Sequence, residues 1–161
     1  MAGKLFVLSG PSGVGKGTVR DTILKDESIN LVFSISMTTR SPRDGEINGV
    51  HYYFVSKEFF EEEIKKDEFL EYAKFVNNYY GTPKKEIKKL LEQGKNVLLE
   101  IEVQGAKQVM KKCPKAITIF MMPPSFEELE KRIRGRRSEP EEIVQERLSK
   151  AKSEMLEKVK Y

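Results

Sequence analysis

A chain of 161 residues that is 34% charged and 39% hydrophobic has room for one packed domain without disulfide or metal staples. The lone Cys113 and lone His51 exclude a disulfide framework and a Cys/His metal cluster. No apolar run approaches the ~20 residues of a membrane span, and the N-terminus lacks a signal-peptide layout, so a cytoplasmic protein with no membrane partner is expected.

In chain order, KLFVLSG, Lys4 to Gly10, is a short apolar run ending in glycine and predicts a buried strand. GPSGVGK follows at once, and Val19, Ile23 and Leu24 then recur at the spacing of a helix face. HYYFVS predicts a strand, and Ser56 is a candidate N-cap for KEFFEEEIKKD, with Phe59, Phe60 and Ile64 on one side. FLEYAKFV reads as a strand, KKEIKKLLEQG as an amphipathic helix stopped by Gly94, and NVLLEIE as a central parallel strand. QGAKQVMKK is helical and KAITIFMMPP is a third apolar strand of the same kind. Ser125 with Glu128 forms a capping-box signature. PEEIVQERLSKAKSEMLEKV, with Pro140 suited to the first turn, predicts a long closing helix. Strands alternating with helices give an α/β fold with a parallel sheet flanked by helices.

Glycine-rich GPSGVGK, between a strand and a helix, matches the phosphate-binding loop of P-loop NTPases in the setting that gives the motif meaning. Glycine lets successive backbone N–H groups turn inward, the helix N-terminus adds partial positive charge, and Lys16 reaches the β- and γ-phosphates. The expected ATP-binding set is Gly10, Pro11, Ser12, Gly13, Val14, Gly15, Lys16, Gly17 and Thr18. Gly17 stands where the motif places the hydroxyl that touches Mg²⁺. The metal contact is therefore open between Thr18 and waters held by Glu100 and Glu102.

The net charge of +4 raises nucleic acid as a partner, but seven of the eight arginines fall in two foci. Arg40 and Arg43 form one, and Arg132, Arg134, Arg136, Arg137 and Arg147 the other. Two foci of bidentate donors suit two phosphate sites better than one broad basic face, so no nucleic-acid partner is expected.

Taken together and in order, GPSGVGKGT, SMTTRSPRDGEINGVHYYF, EFLEYAKF, NNYYGTP, LEIEVQG and RIRGRRSEPEEIVQERL resemble the guanylate kinase family along essentially the whole chain. The resemblance implies ATP-dependent phosphorylation of GMP, and of dGMP, to the diphosphate, with Mg²⁺ as cofactor and no obligate protein partner. It implies that Arg40, Arg43, Tyr52 and Tyr80 hold the GMP phosphate, with Glu46 beside them. Ser36, Glu71, Thr82 and Glu102 match positions around the guanine ring. Guanine offers an N1–H and an amine side by side, which one carboxylate such as Glu71 can accept, while hydroxyls at Ser36 and Thr82 can donate to O6. Lys16, Arg40, Arg43 and the lid arginines Arg136 and Arg147 form the expected catalytic set, with Arg132 a further candidate and Arg134 and Arg137 solvated neighbours. Glu100 and Glu102 stand where many relatives carry aspartate; Glu100, with Thr18, is the metal candidate.

The expected layout is a core of 1–33 and 84–134, an inserted mixed α/β GMP-binding subdomain at 34–83, a small lid at 135–147 and a closing helix at 148–161. The family continues with a further strand and helix, so the chain reads as C-terminally incomplete at Tyr161. Rival readings are a phosphopeptide-binding module that has lost catalysis, a kinase for another nucleoside monophosphate, and a nucleic-acid binder. An intact loop with Lys16 weighs against the first, Glu71 with Ser36 and Thr82 against the second, and clustered arginine against the third.

Overall fold

The computed structural model describes residues 2–75, 77–135 and 140–161. Four parallel strands form the first sheet: β1 (Leu5–Ser9), β2 (Leu31–Phe33), β7 (Asn96–Glu100) and β8 (Ile117–Phe120), in the order β2-β7-β1-β8. A second, mixed sheet contains β3 (Met37–Thr38), β4 (Tyr53–Phe54), β5 (Phe69–Phe75) and β6 (Asn78–Pro83), in the order β4-β3-β6-β5. The helices are α1 (Lys16–Ile23), α2 (Lys57–Lys65), α3 (Lys84–Glu92), α4 (Val103–Lys112), α5 (Phe126–Gly135) and α6 (Glu141–Met155). Among the described residues no helix is long and apolar enough to cross a membrane.

Buried apolar residues form two clusters, one on the first sheet and one under the glycine-rich loop. Leu5, Val7, Val97 and Leu99 pack with Leu70, Ile87, Ala106 and Val109, joining the sheet to α3, α4 and the start of β5. Val14, at the tip of the glycine-rich loop, packs with Leu129, Ile133, Val144, Leu148 and Ala151 from α5 and α6. The loop is thus anchored by a buried side chain at its centre.

Several elements depart from the sequence pattern. HYYFVS yields only the two-residue β4, because Asn48 Oδ1 accepts the Phe54 N–H and the preceding chain is a turn. KAITIFMMPP forms an edge strand, not a central one, with Ile117 and Ile119 39% and 44% exposed. NNYYGTP is a strand despite its glycine and proline. Gly81 leaves the space that Phe60 and Phe69 fill, since a Cβ there would lie 2.9 Å from a Phe69 ring atom, and Pro83 sits at the strand end where a missing N–H costs little. The helix α6 runs unbroken across the 147/148 division between lid and closing helix, and its α-helical part ends at Met155.

Ser56 caps α2 as expected, its Oγ accepting the Phe59 N–H at 3.1 Å. The helix face is narrower than predicted: Phe60 is fully buried, but Phe59 is 45% exposed. Phe60 stacks on Phe69 at 4.3 Å and on Tyr79 at 5.1 Å between ring centroids, which fastens α2 to β5 and β6. Phe60→Ala should therefore lower the unfolding free energy by about 3–5 kcal/mol in urea titration. Phe59→Ala should change it by no more than ~0.5 kcal/mol.

Candidate active site

The glycine-rich loop leaves β1 at Gly10, whose Cα lies so close to the neighbouring chain that a Cβ would come within 2.4 Å of the Met121 carbonyl oxygen. Gly15 adopts φ 103° immediately before α1, a left-handed conformation that glycine takes without strain. Lys16 folds back along the loop, its Nζ donating to the carbonyls of Gly10 at 2.9 Å and Pro11 at 3.3 Å. Burial pushes its pKa below the usual lysine value, opposed by the fields of Glu100, Glu154 and Glu102. Val14 and Pro11 are buried, so the side chains of these two expected ATP contacts face the core. Pro11 also has no N–H to give a phosphate.

The loop has partners that the sequence pattern did not reveal. Ser12 N–H donates to Glu154 Oε2 at 3.3 Å, and Arg132 Nη1 donates to the Val14 carbonyl at 3.0 Å. Lys150 bonds Glu102 at 2.9 Å and lies 3.7 Å from Glu154. Arg147, Lys150 and Glu154 recur at three- and four-residue spacing, so one face of α6 carries all three. That spacing was the available signal. Arg134 is exposed, and on that surface it pairs with Glu130 at 2.8 Å and with both carboxylate oxygens of Glu141 at 2.7 and 3.0 Å, linking α5 to α6.

At the far side, Arg40 and Glu46 meet in a two-pronged ion pair, Nη1 to Oε2 and Nη2 to Oε1, both at 2.9 Å. Glu46 Oε2 also accepts the Arg43 N–H at 2.7 Å. These bonds hold the Glu46 carboxyl down at about 2, with the Arg40 hydrogen bond the largest cause. The Arg40 guanidinium lies over Tyr52, 5.4 Å from the ring centroid, and Tyr52 meets Tyr80 edge-on at 6.2 Å. The two threonines before Arg40 tie its segment to β6. Thr38 is fully buried, and its hydroxyl donates to the Tyr79 carbonyl and accepts the Arg40 N–H. Thr39 Oγ1 accepts the Tyr79 N–H at 2.9 Å. His51 serves the turn, its Nδ1 accepting the Ile47 N–H at 3.0 Å.

Between these two ends lies a cavity of about 470 Å³ whose lining includes Ser36, Tyr52, Glu71, Tyr80, Glu100 and Glu102. Its volume lies in the range of small-ligand sites. Glu71 is 7% exposed and Thr82 1%, and the Thr82 hydroxyl donates to Glu71 Oε1 at 2.6 Å. Burial raises the Glu71 pKa above the usual carboxyl value, with the Thr82 bond acting in the opposite sense. A larger cleft of about 770 Å³, lined by Leu5, Leu70, Ile87, Leu91 and several lysines, contains none of the expected site residues.

The sequence model of the guanylate kinase family matches residues 2–161. The chain is 56% identical over 153 residues to the guanylate kinase of Latilactobacillus sakei subsp. sakei, covering 95% of this chain and 75% of that protein. It is also 56% identical over 154 residues to the guanylate kinase of Prochlorococcus marinus, covering 96% and 82%. The crystal structure of guanylate kinase from Anaplasma phagocytophilum superposes with a TM-score of 0.73 at 36% identity, covering 99% of this chain and 74% of that one. The chain belongs to the guanylate kinase family. Its activity is accordingly that of an ATP:GMP phosphotransferase, a nucleoside monophosphate kinase.

Against that identity, the cavity gathers Ser36, Tyr52, Glu71, Tyr80 and Glu102, with Thr82 directly behind Glu71 and the Arg40–Glu46 pair beside Tyr52. Arg43 is exposed next to Glu46 and Thr18 is exposed on α1, whereas Arg147 is half-buried on α6. Arg136 and Arg137 lie outside the described residues. Glu100 is engaged by Arg20, which bonds its Oε2 at 2.8 Å while stacking over Phe33 at 4.9 Å, a contact the sequence did not announce.

The raised pKa of Glu71 couples folding stability to pH. A carboxyl raised in the folded state contributes most to stability below its unfolded pKa, and that contribution is lost as pH rises through the folded pKa. Glu71→Gln keeps an acceptor for Thr82 and removes the buried charge, so its unfolding free energy should exceed that of the parent at pH 7. The difference should shrink as pH falls toward 4, as measured by urea unfolding across that range.

Proposed function

We propose that this chain carries out the family reaction with Glu71, Thr82 and Ser36 reading guanine, Arg40, Arg43, Tyr52 and Tyr80 holding the acceptor phosphate, and the Gly10–Thr18 loop holding ATP. The observation that carries this reading is the buried Glu71–Thr82 pair at one end of a cavity whose other wall leads to the Arg40–Glu46 fork. The Glu71 carboxylate complements guanine's N1–H and amine and the Ser36 hydroxyl can donate to O6, whereas Thr82, expected to donate there too, gives its one proton to Glu71 and so orients the carboxylate; adenine has neither N1–H nor O6. A mismatched base would leave these buried groups unpaired, which rejects it strongly. None of the proposed contacts touches the ribose, so dGMP is a second acceptor.

Phosphoryl transfer spreads negative charge over the transferring oxygens, and the protein's part is positioning and neutralisation. A phosphate arriving at the loop offers Lys16 Nζ stronger acceptors than the two carbonyls it now bonds. Arg40 and Arg43 neutralise the acceptor side. Arg147, with Arg136, supplies guanidinium from the lid, a contribution worth roughly 10³–10⁵ in rate where an arginine acts at the transition state.

Mg²⁺ fits the donor set near α1. Glu100 Oε2 is bonded by Arg20, while Oε1 faces Gly17, 4.0 Å from where a Cβ would stand. A carboxylate oxygen is a hard ligand of the kind Mg²⁺ takes together with waters and ATP phosphates, and Thr18, exposed on α1, follows Gly17 in the chain. When bound there the ion neutralises charge on the ATP phosphates.

The test is ADP formation with ATP and Mg²⁺ when GMP, AMP, UMP and CMP are offered separately. Turnover is expected with GMP at least 10³-fold above the others in kcat/KM, in the range by which hydrogen-bonding sites discriminate. Comparable turnover of AMP would overturn the guanine assignment, and binding of GMP without turnover would favour a binding module. Arg40→Lys keeps the charge but loses the fork, and should raise the KM for GMP by about 10–100-fold with the KM for ATP unchanged.

A further inference from the structure

Glu71 can read guanine only if its carboxylate is held in place, and the sheet alone does not hold it. The pairing of β5 with β6 shifts register between Phe69 and Glu71, so the ladder is interrupted just before the residue that matters. An irregularity of this kind re-aims the side chain beside it. In addition, β5 is the edge strand of its sheet, so alternate residues turn their N–H and C=O away from β6.

Helix α4 closes that edge at one point. Gln108 Oε1 accepts the Tyr72 N–H at 3.1 Å, and Gln108 Nε2 donates to the Tyr72 carbonyl at 2.9 Å. A primary amide has the donor and acceptor of a peptide group, so Gln108 acts as a one-residue neighbouring strand next to Glu71. One turn earlier, the same helix carries Gly105. A Cβ there would stand 2.6 Å from Glu71 Oε2 and 3.2 Å from its Cδ, so the carboxylate occupies space that any other residue would take. Oε1 is meanwhile taken by Thr82 at 2.6 Å.

We infer that Gln108 and Gly105 are positioning residues for base selectivity: Gln108 fixes the β5 backbone beside Glu71, and Gly105 leaves the slot in which the carboxylate sits. This rests on the reading of Glu71 as the guanine-recognising carboxylate. The α4 wall thereby sets how well both guanine donors, N1–H and the amine, meet one carboxylate. An acceptor lacking the amine depends less on that alignment.

The experiment compares kcat/KM for GMP and for IMP, which keeps N1–H and O6 but lacks the amine, in the parent chain and in Gln108→Met, Gly105→Ala and Glu71→Gln, with the KM for ATP and the melting temperature recorded for each. Methionine keeps the length of Gln108 without its bonds. Alanine at a helical glycine favours the helix by ~1 kcal/mol, so a selective loss in Gly105→Ala without a fall in melting temperature is not a folding defect.

Both α4 variants should raise the KM for GMP and lower the GMP:IMP ratio by about tenfold, in line with weakening one hydrogen bond to a charged group, with kcat and the KM for ATP near parent values. If Glu71→Gln collapses the ratio while both α4 variants keep it within about twofold of the parent, the α4 assignment is overturned and the Glu71 reading stands. If Glu71→Gln also leaves the ratio intact, both fall. Equal losses for GMP and IMP with a lowered melting temperature would assign Gln108 and Gly105 to general packing, and so overturn the inference as well.

Discussion

The register of β1 between its two parallel neighbours is the constraint from which the site is built. Leu8 pairs with Glu100 on one side, and Ser9 pairs with Phe120 on the other. The Met121 N–H then donates to the Ser9 carbonyl at 2.7 Å, and the Ile101 N–H to the Leu8 carbonyl at 3.2 Å. Three chains therefore leave the sheet at one level: the phosphate-binding loop, the Glu100–Glu102 segment and the segment after β8. Such a crevice at the carboxyl ends of parallel strands, where neighbouring connections diverge, is where open α/β sheets place ligands. A slip of one residue in β1 would move Val7 to the opposite face of the sheet and carry the loop off its seat against Met121.

What the sequence made legible followed from short-range chemistry. The loop, its flanking strand and helix, the Ser56 and Ser125 caps and the alternation of elements each depend on residues within a few positions of one another. The family resemblance added the Glu71, Thr82 and Ser36 set, which periodicity could not have found because these residues come from three separate segments. The misses have physical causes too. The strand β6 was hidden because Gly81 and Pro83 oppose strand propensity, and tertiary space for Phe60 and Phe69 decided the matter. The edge position of β8 depends on which strands flank it, and an apolar run alone does not encode that.

The residues around the predicted set were legible least of all. Arg20 on Glu100, Glu154 on Ser12 N–H, Arg132 on the Val14 carbonyl and Gln108 on Tyr72 are contacts between residues 36 to 142 positions apart. Each joins an ordinary polar side chain to backbone or to the Glu100 carboxylate, and nothing in such a residue's own neighbourhood marks it out. They share a task, however. The site holds a buried carboxyl at Glu71 and a partly desolvated ammonium at Lys16, both of which the folded state tolerates at some cost. The surrounding polar contacts keep those groups at fixed places instead of letting them relax toward water.

The fork between Arg40 and Glu46 shows what that fixing does for binding. A free arginine side chain loses up to about 2 kcal/mol of rotamer entropy when it is immobilised around a ligand. Here the guanidinium plane is already set by two bonds to Glu46 and by the Tyr52 ring. The ordering cost falls on folding and not on association, so an acceptor phosphate bound there, as proposed above, would meet a surface that needs little rearrangement. Under the proposed assignment, encounter and recognition are then nearly the same event on that side of the site.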